Sequence, residues 1–144
     1  MKKILLFILL LFNAFAFGQT KNAVLSNGVW YKFTIDKTGV FKIDANFLRN
    51  LGINTNNLNP KNIKLYGNGG TMLPELASQF RYDDLQENAI FIAGEDDESF
   101  DNNDYILFYG VGPHSTLYNT TTETISHIQN IYTEKSTYFI TIGN

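Results

Sequence analysis

The stretch Val29-Trp30-Tyr31-Lys32-Phe33-Thr34-Ile35, followed by Asp36-Lys37-Thr38-Gly39 and then Val40-Phe41-Lys42-Ile43, decides the fold class. Aromatic and β-branched side chains in partial alternation suit a pleated, half-buried strand, whose successive residues point to opposite faces. The residues between the two runs are turn formers, so the whole reads as a β-hairpin. On its C-terminal side, Asp44 is placed to cap the free amides of a short helix. Phe47, Leu48 and Leu51 share one face of that helix, and Gly52 can take the left-handed conformation that ends it. This is the one helix the sequence predicts.

Asn54 to Asn62 is dense in asparagine and contains a proline, which predicts an irregular loop before a strand at Ile63-Lys64-Leu65-Tyr66. Gly67-Asn68-Gly69-Gly70 then turns the chain. Three further strands are expected at Ala89–Ala93, Tyr105–Tyr109 and Tyr138–Ile142. Each is nearly continuous in apolar or β-branched residues, the pattern of a strand buried on both faces. Short strands without alternating long helices predict an all-β domain, a β-sandwich or jelly-roll-like fold with one short helix, over a parallel α/β sheet. The last strand is expected to need a neighbour for its edge and inner face, and the chain reads as truncated before a further region.

The N-terminus has the outline of a secretory signal peptide. Met1-Lys2-Lys3 is a positive start, Ile4 to Phe12 is an unbroken apolar run, and Ala16-Phe17-Gly18 supplies the small residues of a cleavage site. The run is too short for a membrane span of roughly 20 residues, and no basic face marks a retained anchor. The expected organisation is a signal peptide over residues 1–18 and one β-domain over 19–144, exported, with no transmembrane segment after cleavage. With no cysteine in the chain, neither a disulfide nor a lipid on a cysteine is available, and packing must hold the domain.

Charge divides the chain. From Lys21 to Arg81 there are eight basic residues against Asp36, Asp44 and Glu75, whereas Tyr82 to Glu134 contains no lysine or arginine and eleven acidic residues. The acidic half would repel phosphates, which argues against nucleic acid as a partner. The simplest reading is that the two halves meet and neutralise one another in the fold.

Few constellations carry chemistry. A thiol nucleophile is excluded by composition. His114 with Ser115 and His127 with Ser126 are the nearest base and hydroxyl pairs, but adjacent residues of a strand face opposite ways and neither serine sits in a nucleophile elbow. Gly67–Gly70 lacks the Lys-Ser or Lys-Thr and the helix of a phosphate loop. Two distant histidines do not imply zinc. Glu95-Asp96-Asp97-Glu98 with Asp101-Asn102-Asn103-Asp104 offers hard oxygen ligands for calcium, without EF-hand spacing, and ordered turns explain the same residues. Asn119-Thr120-Thr121 matches a glycosylation pattern too short to carry function. No catalytic, cofactor-binding or metal-binding residue is therefore assigned, and no cofactor is expected.

A set of segments in consistent order adds a family resemblance. These are Gly28-Val29-Trp30-Tyr31-Lys32, Thr38-Gly39-Val40-Phe41-Lys42-Ile43, the helix end from Leu48 to Gly52, and Asn62-Ile63-Lys64-Leu65-Tyr66-Gly67-Asn68-Gly69-Gly70. Asp83-Asp84-Leu85-Gln86-Glu87-Asn88-Ala89, Phe100-Asp101, Asp104-Tyr105-Ile106-Leu107-Phe108-Tyr109 and Gly112-Pro113 continue it. His127, Asn130-Ile131-Tyr132 and Tyr138-Phe139-Ile140-Thr141 close it. Together they resemble the N-terminal region of PorU-type sortases, gingipain-like cysteine peptidases of the type IX secretion system in Bacteroidetes.

The resemblance implies an outer-membrane-associated machine that removes a C-terminal sorting domain from cargo and joins the cargo to surface lipopolysaccharide. Its catalytic cysteine and histidine belong to a downstream region, so His114 and His127 do not inherit that role. The expected partners are the remainder of the sortase and outer-membrane components of the secretion system, with this chain a non-catalytic accessory domain or fragment. The alternative is a free-standing carbohydrate- or calcium-binding β-module. By family analogy alone, an inhibitory domain covering a gingipain-like active site is a third reading. The aromatics Trp30, Tyr31, Phe33, Phe41, Tyr105, Phe108 and Tyr109 are expected in the core rather than on a ligand platform. Mass analysis of the exported protein is expected to find Gln19 at its N-terminus, and a product that retains Met1 would overturn the signal-peptide reading.

Overall fold

The computed structural model describes residues 23–143, so the signal peptide expected at 1–18 lies outside the described residues. The two opening strands form where their patterns place them, β1 at Trp30–Ile35 and β2 at Gly39–Asp44. They do not pair with each other. β1 runs antiparallel to the last strand, while β2 runs antiparallel to Tyr105–Gly110, so the expected hairpin is instead a corner between two sheets. Glycines make the corner possible. A Cβ on Gly110 would lie 2.5 Å from Ile35 and 3.0 Å from Phe41, and one on Gly112 would lie 2.6 Å from the Lys37 backbone. Thr38 fixes the corner further by accepting a hydrogen bond from the Gly112 amide at 2.9 Å.

Helix α1, Ala45–Asn50, begins as the sequence predicts. The Asp44 carboxylate accepts from the Phe47 amide at 2.8 Å, Leu48 is fully buried, and Gly52 ends the segment at a φ of 91°. It is the single α-helix among the described residues. Short 3-10 turns occupy Val24–Ser26, Pro60–Asn62 and Glu95–Asp97.

The remaining strands are β3 (Ile63–Tyr66), β4 (Glu87–Asn88), β5 (Ile90–Ala93), β6 (Tyr105–Gly110), β7 (Ser115–Asn119), β8 (Thr124–Ile128) and β9 (Ser136–Ile142). A four-stranded sheet in the order β1-β9-β3-β4 faces a three-stranded sheet in the order β2-β6-β5, and β7 and β8 pair separately. Every pairing is antiparallel. The domain is therefore all-β, a sandwich with one short helix.

Burial corrects the reading of the apolar strands. Phe91 and Tyr109 are about 60% exposed, at 59% and 61%, so β5 and β6 bury one face only. β9 comes nearest to burial on both faces. It lies between β1 and β3, with Trp30 opposite Thr141 and Ile63 opposite Ile142, so the neighbours it needs are supplied within the domain. β7 and β8 escape the sequence pattern, because polar residues interrupt their apolar ones and nearly every side chain is exposed.

The sheets meet through aromatic rings. Phe33 of β1 packs edge-on against Phe108 of β6, with centroids 5.8 Å apart, and Tyr138 of β9 lies 5.4 Å from the same ring. The Tyr138 hydroxyl accepts from the Val111 amide at 2.7 Å and donates to the Val111 carbonyl at 3.3 Å. Burial is the main cause that raises the Tyr138 pKa, opposed by the Val111 hydrogen bond and aided by Tyr109. A raised phenol pKa keeps the folded state protonated where the unfolded chain ionises, so this contribution is present below the unfolded value of about 10 and is lost as pH rises through the folded value. Tyr138→Phe is expected to lower stability in urea by about 1–3 kcal/mol, by leaving the Val111 groups without their partner. The same variant is expected to show a shallower loss of stability above pH 10, and an unchanged alkaline profile would contradict the role given to the hydroxyl.

Candidate functional site

A groove of about 1030 Å³ lies over the outer face of the four-stranded sheet. Strand alternation supplies its floor. Phe33 and Tyr138 point to the core, so Lys32 and Phe139, which are directly opposite each other, point outward with Thr137. One wall is the segment from Asn68 to Glu75, and the other runs from Asn130 to Lys135.

The first wall is seated by glycines. A Cβ on Gly67 would lie 2.5 Å from the Tyr138 ring, so only glycine lets the chain cross that side chain without displacement. Gly70 packs directly over Ser136, whose hydroxyl is buried without a hydrogen-bond partner. Asn68 ties the return of the chain by donating to the Asp84 carbonyl at 3.0 Å and accepting from the Gln86 amide at 2.9 Å. The glycine-rich segment expected as a turn thus serves as a close-packed strap on β9.

Asn130 joins the walls. Its amide nitrogen donates to the Gly70 carbonyl at 2.6 Å, and its side-chain oxygen accepts from the Tyr132 and Thr133 amides at 2.9 and 3.3 Å. Its backbone N–H donates to His114 Nδ1 at 3.2 Å, which commits that ring nitrogen to structure. Asn130 was legible only as part of the family resemblance, since a buried asparagine in a polar loop leaves no periodic signal.

The groove is apolar with charged margins. Met72, Leu73, Leu85, Ile131, Tyr132 and Phe139 contribute the apolar lining, with Lys32, Lys135 and Glu75 among them. These groups can bind and orient a partner, but they do not pair a nucleophile with a base. His127 and Ser126 lie on exposed β8, facing opposite ways, and His114 sits at the base of the β7–β8 hairpin.

The acidic residues go elsewhere. Asp97 accepts from the Ser99 amide at 3.0 Å, an Asx turn, and Asp104 reaches back to accept from the Asp101 amide at 2.6 Å across a backbone turn, so the 95–104 segment is ordered by its own carboxylates. Lys61 meets Glu98 at 3.1 Å and Lys64 meets Glu87 at 3.6 Å, so the basic and acidic halves do touch. Both pairs are exposed and contribute about 0–1 kcal/mol each. Among the described residues no group of three or more His, Cys, Asp or Glu side chains converges on a metal position.

The aromatics divide between core and surface. Phe108 is buried, Tyr31, Phe33 and Phe41 pack against the core, and Tyr109 is exposed. Tyr105 lies under the Lys42 ammonium at 4.5 Å. Trp30 packs edge-on with Tyr66, at 5.2 Å, on the outer side of the four-stranded sheet. Burial, and then its hydrogen bond to the Glu87 carboxylate, raise the Tyr66 pKa.

The fold is a two-sheet sandwich that carries an apolar groove on one outer face. No family model matches the chain, and no curated protein matches it. Among solved structures it is similar to the dimeric latent PorU from Porphyromonas gingivalis, at 28% identity and a TM-score of 0.63. The match covers 83% of this chain and 10% of that one, so the fold is PorU-like over a region about a tenth of that protein's length. Millimolar calcium is expected to leave the thermal midpoint unmoved, because a ligand bound only by the folded state must raise it. A rise that vanishes in Asp101→Asn would restore the calcium reading.

Proposed function

We propose that this chain is a non-catalytic N-terminal accessory region of a type IX secretion system sortase, exported and associated with the cell surface or outer membrane. The single observation that carries the proposal is the PorU match, where similarity of fold and of sequence coincide over most of the chain. The ordered segments from Gly28 to Thr141 support it independently of the fold. In such a protein the downstream peptidase would remove the C-terminal sorting domain of cargo and attach the cargo to lipopolysaccharide. This region supplies packing and partner contact.

The chemistry of the chain agrees with that division of labour. It contains no cysteine, so a cysteine-peptidase nucleophile must come from elsewhere in the polypeptide. Sequencing the genome downstream of the Asn144 codon is expected to find the reading frame continuing into a long region with a catalytic histidine and cysteine. A stop codon with no such region following would overturn the proposal.

A further inference from the structure

The groove walls carry more exposed apolar surface than a small ligand would cover. Leu73, Ile131 and Tyr132 are 70%, 77% and 84% exposed, which places them on the crests of the walls rather than only inside the groove. Further along the same segment Leu76 is 64% exposed, and the exposed rings of Phe80 and Tyr82 pack edge-on 5.1 Å apart. A compact ligand seated on Phe139 and Thr137 would leave those crests in water, whereas a folded surface laid across both walls would bury crests and floor together. Contiguous apolar patches of this kind mark protein contacts.

Charge restricts the partner. Lys32 on the floor and Lys135 on the wall form no ion pair among the described residues, unlike Lys61 and Lys64. Against Glu75, the one carboxylate of the lining, these two ammonium groups leave the groove with an excess of positive charge, which favours a contact face that carries carboxylates at its rim. The similar PorU chain also shows where such a face can come from, because nine-tenths of its length lies outside the match.

We propose that the groove between Asn68–Glu75 and Asn130–Lys135 is the docking surface for a folded domain of the same polypeptide, presenting an apolar patch with acidic margins. The inference rests on the proposed function, since it requires the longer sortase chain. Asn130 is the positioning residue for this surface, because it holds both walls at one separation.

Hydrogen exchange tests it, comparing residues 19–144 alone with the full-length polypeptide. The amides of Met72, Leu73 and Ile131–Lys135 are expected to slow by at least about tenfold in the full-length protein, while those at the tip of the β7–β8 hairpin do not. Tyr132→Asp, an exposed substitution that keeps the backbone bond to Asn130, is expected to abolish that protection, and the Lys32→Glu, Lys135→Glu double variant to reduce it in a salt-dependent way. A full-length chain whose groove exchanges as fast as that of the isolated region would overturn the inference and leave the sortase assignment standing. Protection that depends on protein concentration, or that needs another outer-membrane component, would overturn it in favour of a second copy or a separate partner. Absence of a downstream catalytic region would instead remove the sortase assignment and this inference with it.

Discussion

The packing of Tyr138 between the two sheets is the constraint on which the rest of the domain depends. Its ring sits on an inner strand of one sheet, touches Phe108 of the other, and lies under Gly67. Its hydroxyl then fixes Val111, the residue that follows β6. One side chain thus sets the distance between sheets, the path of the glycine strap, and the exit of the chain toward the β7–β8 hairpin. An aromatic residue with a satisfied polar tip can do this because it combines a large buried area with a directional bond.

The groove follows from that arrangement. Because β9 lies between β1 and β3, its outward residues form a floor in the middle of a sheet rather than at an edge. The strap from Gly67 to Gly70 can lie close to β9 only where no side chain intervenes, and Asn130 bonds the second wall to it. Apolar crests stand on this face beside two lysines, Lys32 and Lys135, that form no ion pair among the described residues, a mixture suited to a protein surface.

Similarity to PorU gives this reading its context. The likeness is one of fold and of moderate sequence identity over a small part of a much longer protein. Among the described residues the Asp97 and Asp104 carboxylates are engaged in turns, and Glu87 and Glu98 in exposed ion pairs.

The sequence by itself determined the class of structure and most of its local elements. Partial alternation and short apolar runs bounded by turn formers located β1, β2, β3, β5, β6 and β9, and the Asp44 cap with Gly52 bounded α1, because capping and local patterning are decided by residues within a few positions of one another. Only the tertiary structure decided pairing. Asp36–Thr38 reads equally as a hairpin loop or as an inter-sheet corner, and the choice was made by Gly110, Gly112 and β9, which are distant in sequence. The exposed hairpin of β7 and β8 was hidden because its strands bury almost nothing, and pattern reading detects burial. The groove was hidden for the same reason in reverse: its residues come from three separate segments, and only the sheet order brings Lys32, the glycine strap and Asn130 to one face.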